Sequence, residues 1–213
     1  MSAVASTRGG PGEAAGVPTV LVVCTANECR SPSAVALLAD TLGATLGNAV
    51  RIAGAGTQAA PGRPLCARAE RWLGESAHVP APTGHRSVVL DAAHVRDASL
   101  VLGAAREHRS AAVALMPSVQ RRAFTLTQAA RLAERLSVEG VRAPSGLDHA
   151  ARLEWWVEEL DAWRGDVPRA DPDDDDLPDP HDGQVRHEDL LPRLAEAVAA
   201  VAALLAGEPA LSR

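Results

Sequence analysis

The sequence predicts an α/β fold: a four-stranded parallel sheet forming the middle of a three-layer sandwich. Two observations point there. Short β-branched apolar runs alternate with longer helical patterns, the order that builds parallel sheets. The first run, Thr19-Val20-Leu21-Val22-Val23, is apolar at every position but its first, as in a strand covered on both faces.

The elements follow in order. Residues 1 to 17 are rich in Ser, Gly, Ala and Pro and read as a disordered leader. The strand at 19–23 runs straight into Cys24. Ser31-Pro32-Ser33 then opens a helix, Ser as the cap and Pro in the first turn, and Ala34 to Leu42 continue it. A second strand is expected at Val50 to Ala55, ending at Gly56. Helical patterns follow at Pro64 to Gly74 and Asp91 to Val95. Ala98 to Leu102 is the third strand, Arg106 to Met116 a helix stopped by Pro117, and Arg122 to Thr125 the fourth strand. Thr127 caps a helix through Leu136, and residues 137–149 form a loop. Ala150 to Trp163 is an amphipathic helix with Trp155, Trp156 and Trp163 near one face, read as core anchors. An acidic loop, 165–183, precedes a last helix from Val185 to Ala206, and residues 209–213 form a flexible tail. Residues 18–208 are thus expected to make a single domain, and no internal repeat is evident.

Composition narrows the function. Hydrophobic residues make up 46% and charged residues 23%, ordinary for a globular protein. Aromatics are scarce, with one Phe, four Trp and no Tyr, so the core must rest on Ala, Leu and Val. The formal charge of -6 is concentrated in the run Asp171 to Asp176 and argues against nucleic-acid binding, which needs a basic face. The longest apolar stretch, Leu194 to Ala206, carries Glu196 and is shorter than the roughly 20 residues a membrane span requires. Three cysteines are too few for a disulfide scaffold and suit a reducing cytoplasm. The N-terminus carries no signal-peptide pattern.

The chemistry concentrates in the loop after the first strand: Cys24-Thr25-Ala26-Asn27-Glu28-Cys29-Arg30-Ser31. In open α/β sheets ligands bind at the carboxyl ends of strands. There a loop leading into a helix aims backbone N–H groups and the helix dipole at an anion. The same field favours the thiolate of Cys24. Arg30 closes the loop with a planar fork matched to two phosphate oxygens, and Ser31 offers its hydroxyl to the thiolate. Thr25 to Ser31 are therefore the candidate phosphate cradle. A Walker loop is excluded, because the Gly-rich stretch and Gly-Lys-Ser/Thr end are missing. No metal is expected: Cys24 and Cys29 are separated by four residues, but no second ligand pair follows at a zinc spacing.

With Cys24, Asn27, Cys29, Arg30, Ser31 and Pro32 in these places, the chain resembles the low-molecular-weight protein tyrosine phosphatase family. That family carries Cys-x-Gly-Asn-x-Cys-Arg-Ser-Pro after its first strand. Gly54-Ala55-Gly56-Thr57 is similar to a second family segment, and Asp176-Leu177-Pro178-Asp179-Pro180 to a third, an Asp-Pro pair near the C-terminus. The resemblance extends over residues 18–207. It implies a phosphomonoester hydrolase, in the family a protein tyrosine phosphatase, with no cofactor. Its partner would be a phosphorylated protein or small phosphate ester. Cys24 would form a phosphocysteine, and Arg30 with the loop amides would stabilise the equatorial oxygens. Asp179 would protonate the leaving oxygen and then help water attack. Asn27 would hold the loop through its tolerance of left-handed backbone. Cys29 would be the neighbour that forms a protective disulfide with Cys24. Bottom-up, the prolines flanking Asp179 restrict its backbone, whereas the acidic run before it reads as a solvated loop.

The chain departs from the family pattern at several points. Ala26 replaces a Gly, which would strain the loop if that position needs positive φ. Glu28 is unusual in an anion site and is expected to face outward. His181, Asp182 and residues 58–62 stand where the family has pocket aromatics, so no stacking wall for a phenol is evident. His181 reads as an exposed loop histidine. The segment His85-Arg86-Ser87 reads as packing or capping, and Cys66 as a small buried hydrophobe. Two other readings share the loop. A non-catalytic phosphate-binding module would accommodate Glu28 and Ala26. A thiol arsenate reductase needs late cysteines, and none follows Cys66.

Overall fold

A computed structural model of the 213-residue chain describes residues 17–167, 171–183 and 185–207. The leader, apart from Val17, and the tail lie outside the described residues. Four strands, β1 (Thr19–Cys24), β2 (Arg51–Gly56), β3 (Leu100–Gly103) and β4 (Ala123–Thr125), form one sheet in the order β2-β1-β3-β4. All three pairings are parallel, with Cys24 opposite Gly56 and Val23 opposite Gly103.

Alternation along β1 divides the core. Val20 and Val22 join Leu100, Leu102 and Phe124 against α1 (Arg30–Leu46), α5 (Leu126–Val138) and α7 (His187–Ala206). Leu21 and Val23 join Val101 and Ala123 on the other face, against α3 (Ala92–Asp97) and α4 (Arg106–Leu115). The sandwich has three layers, as the double-sided apolar character of β1 requires. The short α2 (Ala67–Trp72) packs on α7, and α6 (His149–Ala162) buries Leu153, Trp156 and Leu160. Trp155 and Trp163 are only partly buried against the same core. Among the described residues, no helix is long and apolar enough to cross a membrane.

Several boundaries differ from the expectation, each for a local reason. Helix α1 starts at Arg30 with Cys29 as its cap. Ser31 does not cap because its hydroxyl is turned to Cys24. Thr125, not Thr127, caps α5, accepting from the Gln128 amide. Thr127 instead donates to the Asp175 carbonyl. Asp148 caps α6, which starts one residue earlier than the sequence pattern suggests.

The topology fixes where a ligand belongs. The connection from β1 reaches β2 on one side, and that from β2 crosses to β3 on the other, so the strand order reverses at β1. The crevice beyond the carboxyl end of β1 is the topological switch point, and Cys24 is the last residue of that strand.

Candidate active site

The loop 25–29 wraps over the ends of β1 and β2. Its close approach depends on Gly56, where a Cβ would lie 2.6 Å from the Thr25 carbonyl oxygen and 2.8 Å from the Asn27 nitrogen. The bottom of the loop is pinned by Thr57 N–H donating to the Cys24 carbonyl (2.9 Å) and Gln58 N–H to that of Thr25 (2.8 Å). Asn27 is the hinge. It is fully buried with φ of 55°, a conformation that Asn adopts more readily than most residues. Its Oδ1 accepts from Val88 N–H (3.0 Å) and its carbonyl from His85 Nε2 (2.8 Å). The packing role expected for the His85 segment is therefore loop support, and Ser87 contributes by accepting from Arg63 N–H (2.9 Å). Ala26 is outside the left-handed region, so its Cβ is accommodated without strain.

The Cys24 sulfur is buried and lies 3.0 Å from Ser31 Oγ and 3.2 Å from the Asn27 backbone nitrogen, which donates to it. Asn27 Nδ2 donates to Ser31 Oγ (2.9 Å). The Ser31 hydroxyl, holding that bond as acceptor, has the Cys24 sulfur (3.0 Å) and the Ala55 carbonyl (3.5 Å) as further partners. The Asn27 N–H and the Ser31 hydroxyl thus both contact Cys24 next to the N-terminus of α1, where free helix N–H groups favour an anion.

Arg30 is 3% exposed and fully engaged. It donates to the Leu177 carbonyl (2.9 Å), to Thr25 Oγ1 (2.8 Å) and to the Asp179 carboxylate, with which it forms an ion pair. The fold therefore brings Asp179 to the loop across 149 residues of sequence. Leu177 carries it there: fully buried, it docks through its N–H on the Ala104 carbonyl (2.9 Å) beyond β3. The preceding acidic run is not simply solvated. Asp176, itself partly buried, makes an ion pair with the exposed Arg106 (2.8 Å), and Asp175 makes one with Arg131 (2.6 Å). Glu28 leans towards the exposed Arg63 (3.8 Å), as an outward orientation requires.

Two groups escaped the sequence reading. His108 is fully buried in α4, its Nε2 3.0 Å from Thr25 Oγ1. Since Thr25 Oγ1 accepts from Arg30, its proton goes to an unprotonated Nε2. Burial first, and then the Arg30 charge, lower the His108 pKa to about 4. The only sequence signal was a histidine just after the end of β3. Cys66, expected as a buried hydrophobe, is instead the partly exposed cap of α2 and sits beside Cys29 and His187. The hydrogen bond between the two sulfurs, then burial, raise the Cys29 pKa, while the same bond lowers that of Cys66 to about 4.

A model of the low molecular weight phosphotyrosine protein phosphatase family matches residues 19–162. The match includes the loop and ends before Asp179. The protein-arginine-phosphatase of Geobacillus stearothermophilus is 35% identical over 109 residues, 51% of this chain and 69% of that protein. The crystal structure of YfkJ from Bacillus subtilis covers 91% of this chain and 96% of its own length at 17% identity and a TM-score of 0.59. A low molecular weight phosphotyrosine phosphatase from Vibrio cholerae O395 covers 88% and 94%, at 17% identity and a TM-score of 0.57. At such identities the likeness is one of fold.

Proposed function

The chain belongs to the low molecular weight phosphotyrosine protein phosphatase family, and we propose that it dephosphorylates proteins through a phosphocysteine on Cys24. The observation carrying this reading is the sulfur at the end of β1, held between Ser31 Oγ and the Asn27 N–H with Arg30 closing the same loop.

In the proposed reaction the thiolate attacks phosphorus and the P–O bond to the leaving group breaks. Substrate oxygens draw the Arg30 guanidinium out of its ion pair with Asp179, while its other nitrogen stays on the Leu177 carbonyl. Asp179, released, takes up a proton from solvent and gives it to the leaving oxygen. In the second half it takes a proton from water as water attacks the phosphocysteine, and inorganic phosphate leaves. Arg30 and the loop amides hold the equatorial oxygens throughout. A nucleophilic thiolate needs a reducing compartment, so the reading includes a cytoplasmic setting.

Phosphotyrosine is the substrate that the family name implies. A second reading, phosphoarginine, is favoured by Glu28. This loop carboxylate already faces the guanidinium of Arg63, and a carboxylate at the rim suits an arginine side chain better than a phenol. The protein-arginine-phosphatase relative supports it. The test is turnover of matched phosphotyrosine and phosphoarginine proteins by wild type and Cys24→Ser. The proposal expects the variant to lose about 10⁴-fold or more on whichever substrate is preferred. Phosphate binding without any turnover would leave only a binding module.

A further inference from the structure

Behind the phosphate loop, four side chains from three helix starts and the acid loop converge. Cys29 caps α1, Cys66 caps α2, His187 opens α7, and His181 stands two residues beyond Asp179. One sulfur or ring nitrogen from each lies within 4.8 Å of all the others. Cys66 Sγ is 3.3 Å from His187 Nε2, and the two imidazoles meet edge to face with centroids 4.9 Å apart.

We propose that Cys29, Cys66, His181 and His187 form a zinc site that ties the acid loop to the phosphate loop. Two sulfurs and two imidazole nitrogens are the donor set of a closed structural zinc centre, with Zn–S of about 2.3 Å and Zn–N of about 2.0–2.1 Å. Tetrahedral geometry at those lengths puts neighbouring donors roughly 3.3–3.8 Å apart. The Cys66–His187 separation already falls in that range, and every other pair lies within 4.8 Å. Charge fits as well: two thiolates and two neutral imidazoles make Zn²⁺ formally neutral, so the half-buried site carries no uncompensated charge. On binding, each sulfur still protonated gives its proton to solvent, and nothing is oxidised or reduced.

The cluster also contains an under-satisfied group. His187 is 3% exposed, its Nε2 meets only the Cys66 thiol, and its Nδ1 has no hydrogen-bond partner among the described residues. A cation bound at Nε2 replaces that weak thiol contact with a stronger bond. The consequence reaches the reaction. His181 N–H donates to Asp179 Oδ1 (3.1 Å), so a metal on His181 holds the proposed acid in register. A metal on Cys29 also withholds that thiol from disulfide formation with Cys24. The inference does not rest on the phosphatase reading, since the readout below uses no substrate.

The test is titration of the reduced full-length chain with Co²⁺ as a spectroscopic probe, followed by displacement with Zn²⁺ against a chelator of known affinity. Circular dichroism checks the fold of each variant. The site predicts one equivalent bound, with a thiolate-to-cobalt charge-transfer band and visible bands of tetrahedral intensity. Cys24→Ser retains the spectrum. Cys66→Ser loses more than about 100-fold in Zn²⁺ affinity, beyond the range of changes outside the ligand set. His181→Ala, altered at an exposed position, shifts the visible bands and weakens binding. A wild type with no thiolate band overturns the proposal. So does a band that survives Cys66→Ser and vanishes in Cys24→Ser, which would put the metal on the nucleophile.

Discussion

At Cys24 the Asn27 N–H, the Ser31 hydroxyl and a helix N-terminus meet at one sulfur, and the Asn27 side chain holds the Ser31 oxygen in place. Arg30 and Asp179 divide the rest of the proposed chemistry, and different measurements separate them. Arg30→Ala is expected to lower kcat/KM by about 10²–10³-fold on every substrate, because the charge on the equatorial oxygens is common to all. Asp179→Asn is expected to cost about 10²-fold for poor leaving groups and little for nitrophenolate, which leaves without a proton. A leaving-group series for both variants checks the contrast. His108 sets a pH limit on the fold. Its folded pKa of about 4 lies below the ordinary histidine value of about 6.5. Between those values the unfolded chain binds a proton that the folded chain does not, so stability falls as pH drops through this window and levels off below it. Denaturant titrations from pH 7 to pH 4 should show a loss on the order of 3 kcal/mol that His108→Gln removes. Cys24 and Arg30 were legible in the sequence because one short loop contains both. His108 was not, because only the packing of α4 over the end of β3 brings it to Thr25.

At the scale of elements, the phosphate loop takes its shape from β2 as much as from β1. Gly56 faces three backbone atoms of the loop within 3 Å of where a Cβ would stand. Backbone cannot step aside as a side chain can, so Gly56→Ala should destabilise the protein by about 1–3 kcal/mol. It should also lower kcat by displacing the Asn27 amide from the sulfur. Chemical denaturation and initial rates on the same preparation test both. The four strands and the order of helices were readable from alternating apolar runs, and every strand falls within a residue or two of its expected place. The helix starts were less so, for a reason visible at Ser31 and Thr127: a capping side chain taken by a tertiary partner cannot cap. The acidic run shows the limit from the other side. Its composition reads as solvated loop, yet Arg106 and Arg131, distant in sequence, pair with Asp176 and Asp175 and dock it.

For the molecule as a whole, the site is assembled from segments about 150 residues apart, and Leu177 joins them. Its side chain is fully buried, its N–H sits on Ala104 and its carbonyl receives Arg30. Leu177→Ala should cost about 2–5 kcal/mol of stability. It should also slow poor leaving groups more than good ones, because Asp179 loses its anchor. The cluster of Cys29, Cys66, His181 and His187 belongs to this scale too. Spacing in the chain gave no zinc pattern, since no two of its members stand close in sequence on one element. Only the meeting of three helix starts makes them neighbours. All of these effects converge on whether Cys24 carries phosphate during turnover. The most direct measurement is acid-quenched mass spectrometry of the chain during hydrolysis of an aryl phosphate, with Cys24→Ser in parallel. A phosphocysteine route gives a phosphate adduct on the Cys24 peptide in the wild type, formed as fast as the leaving group is released, and no cysteine adduct or turnover in the variant. Hydrolysis that proceeds in Cys24→Ser, or turnover in the wild type with no adduct at Cys24, would contradict it.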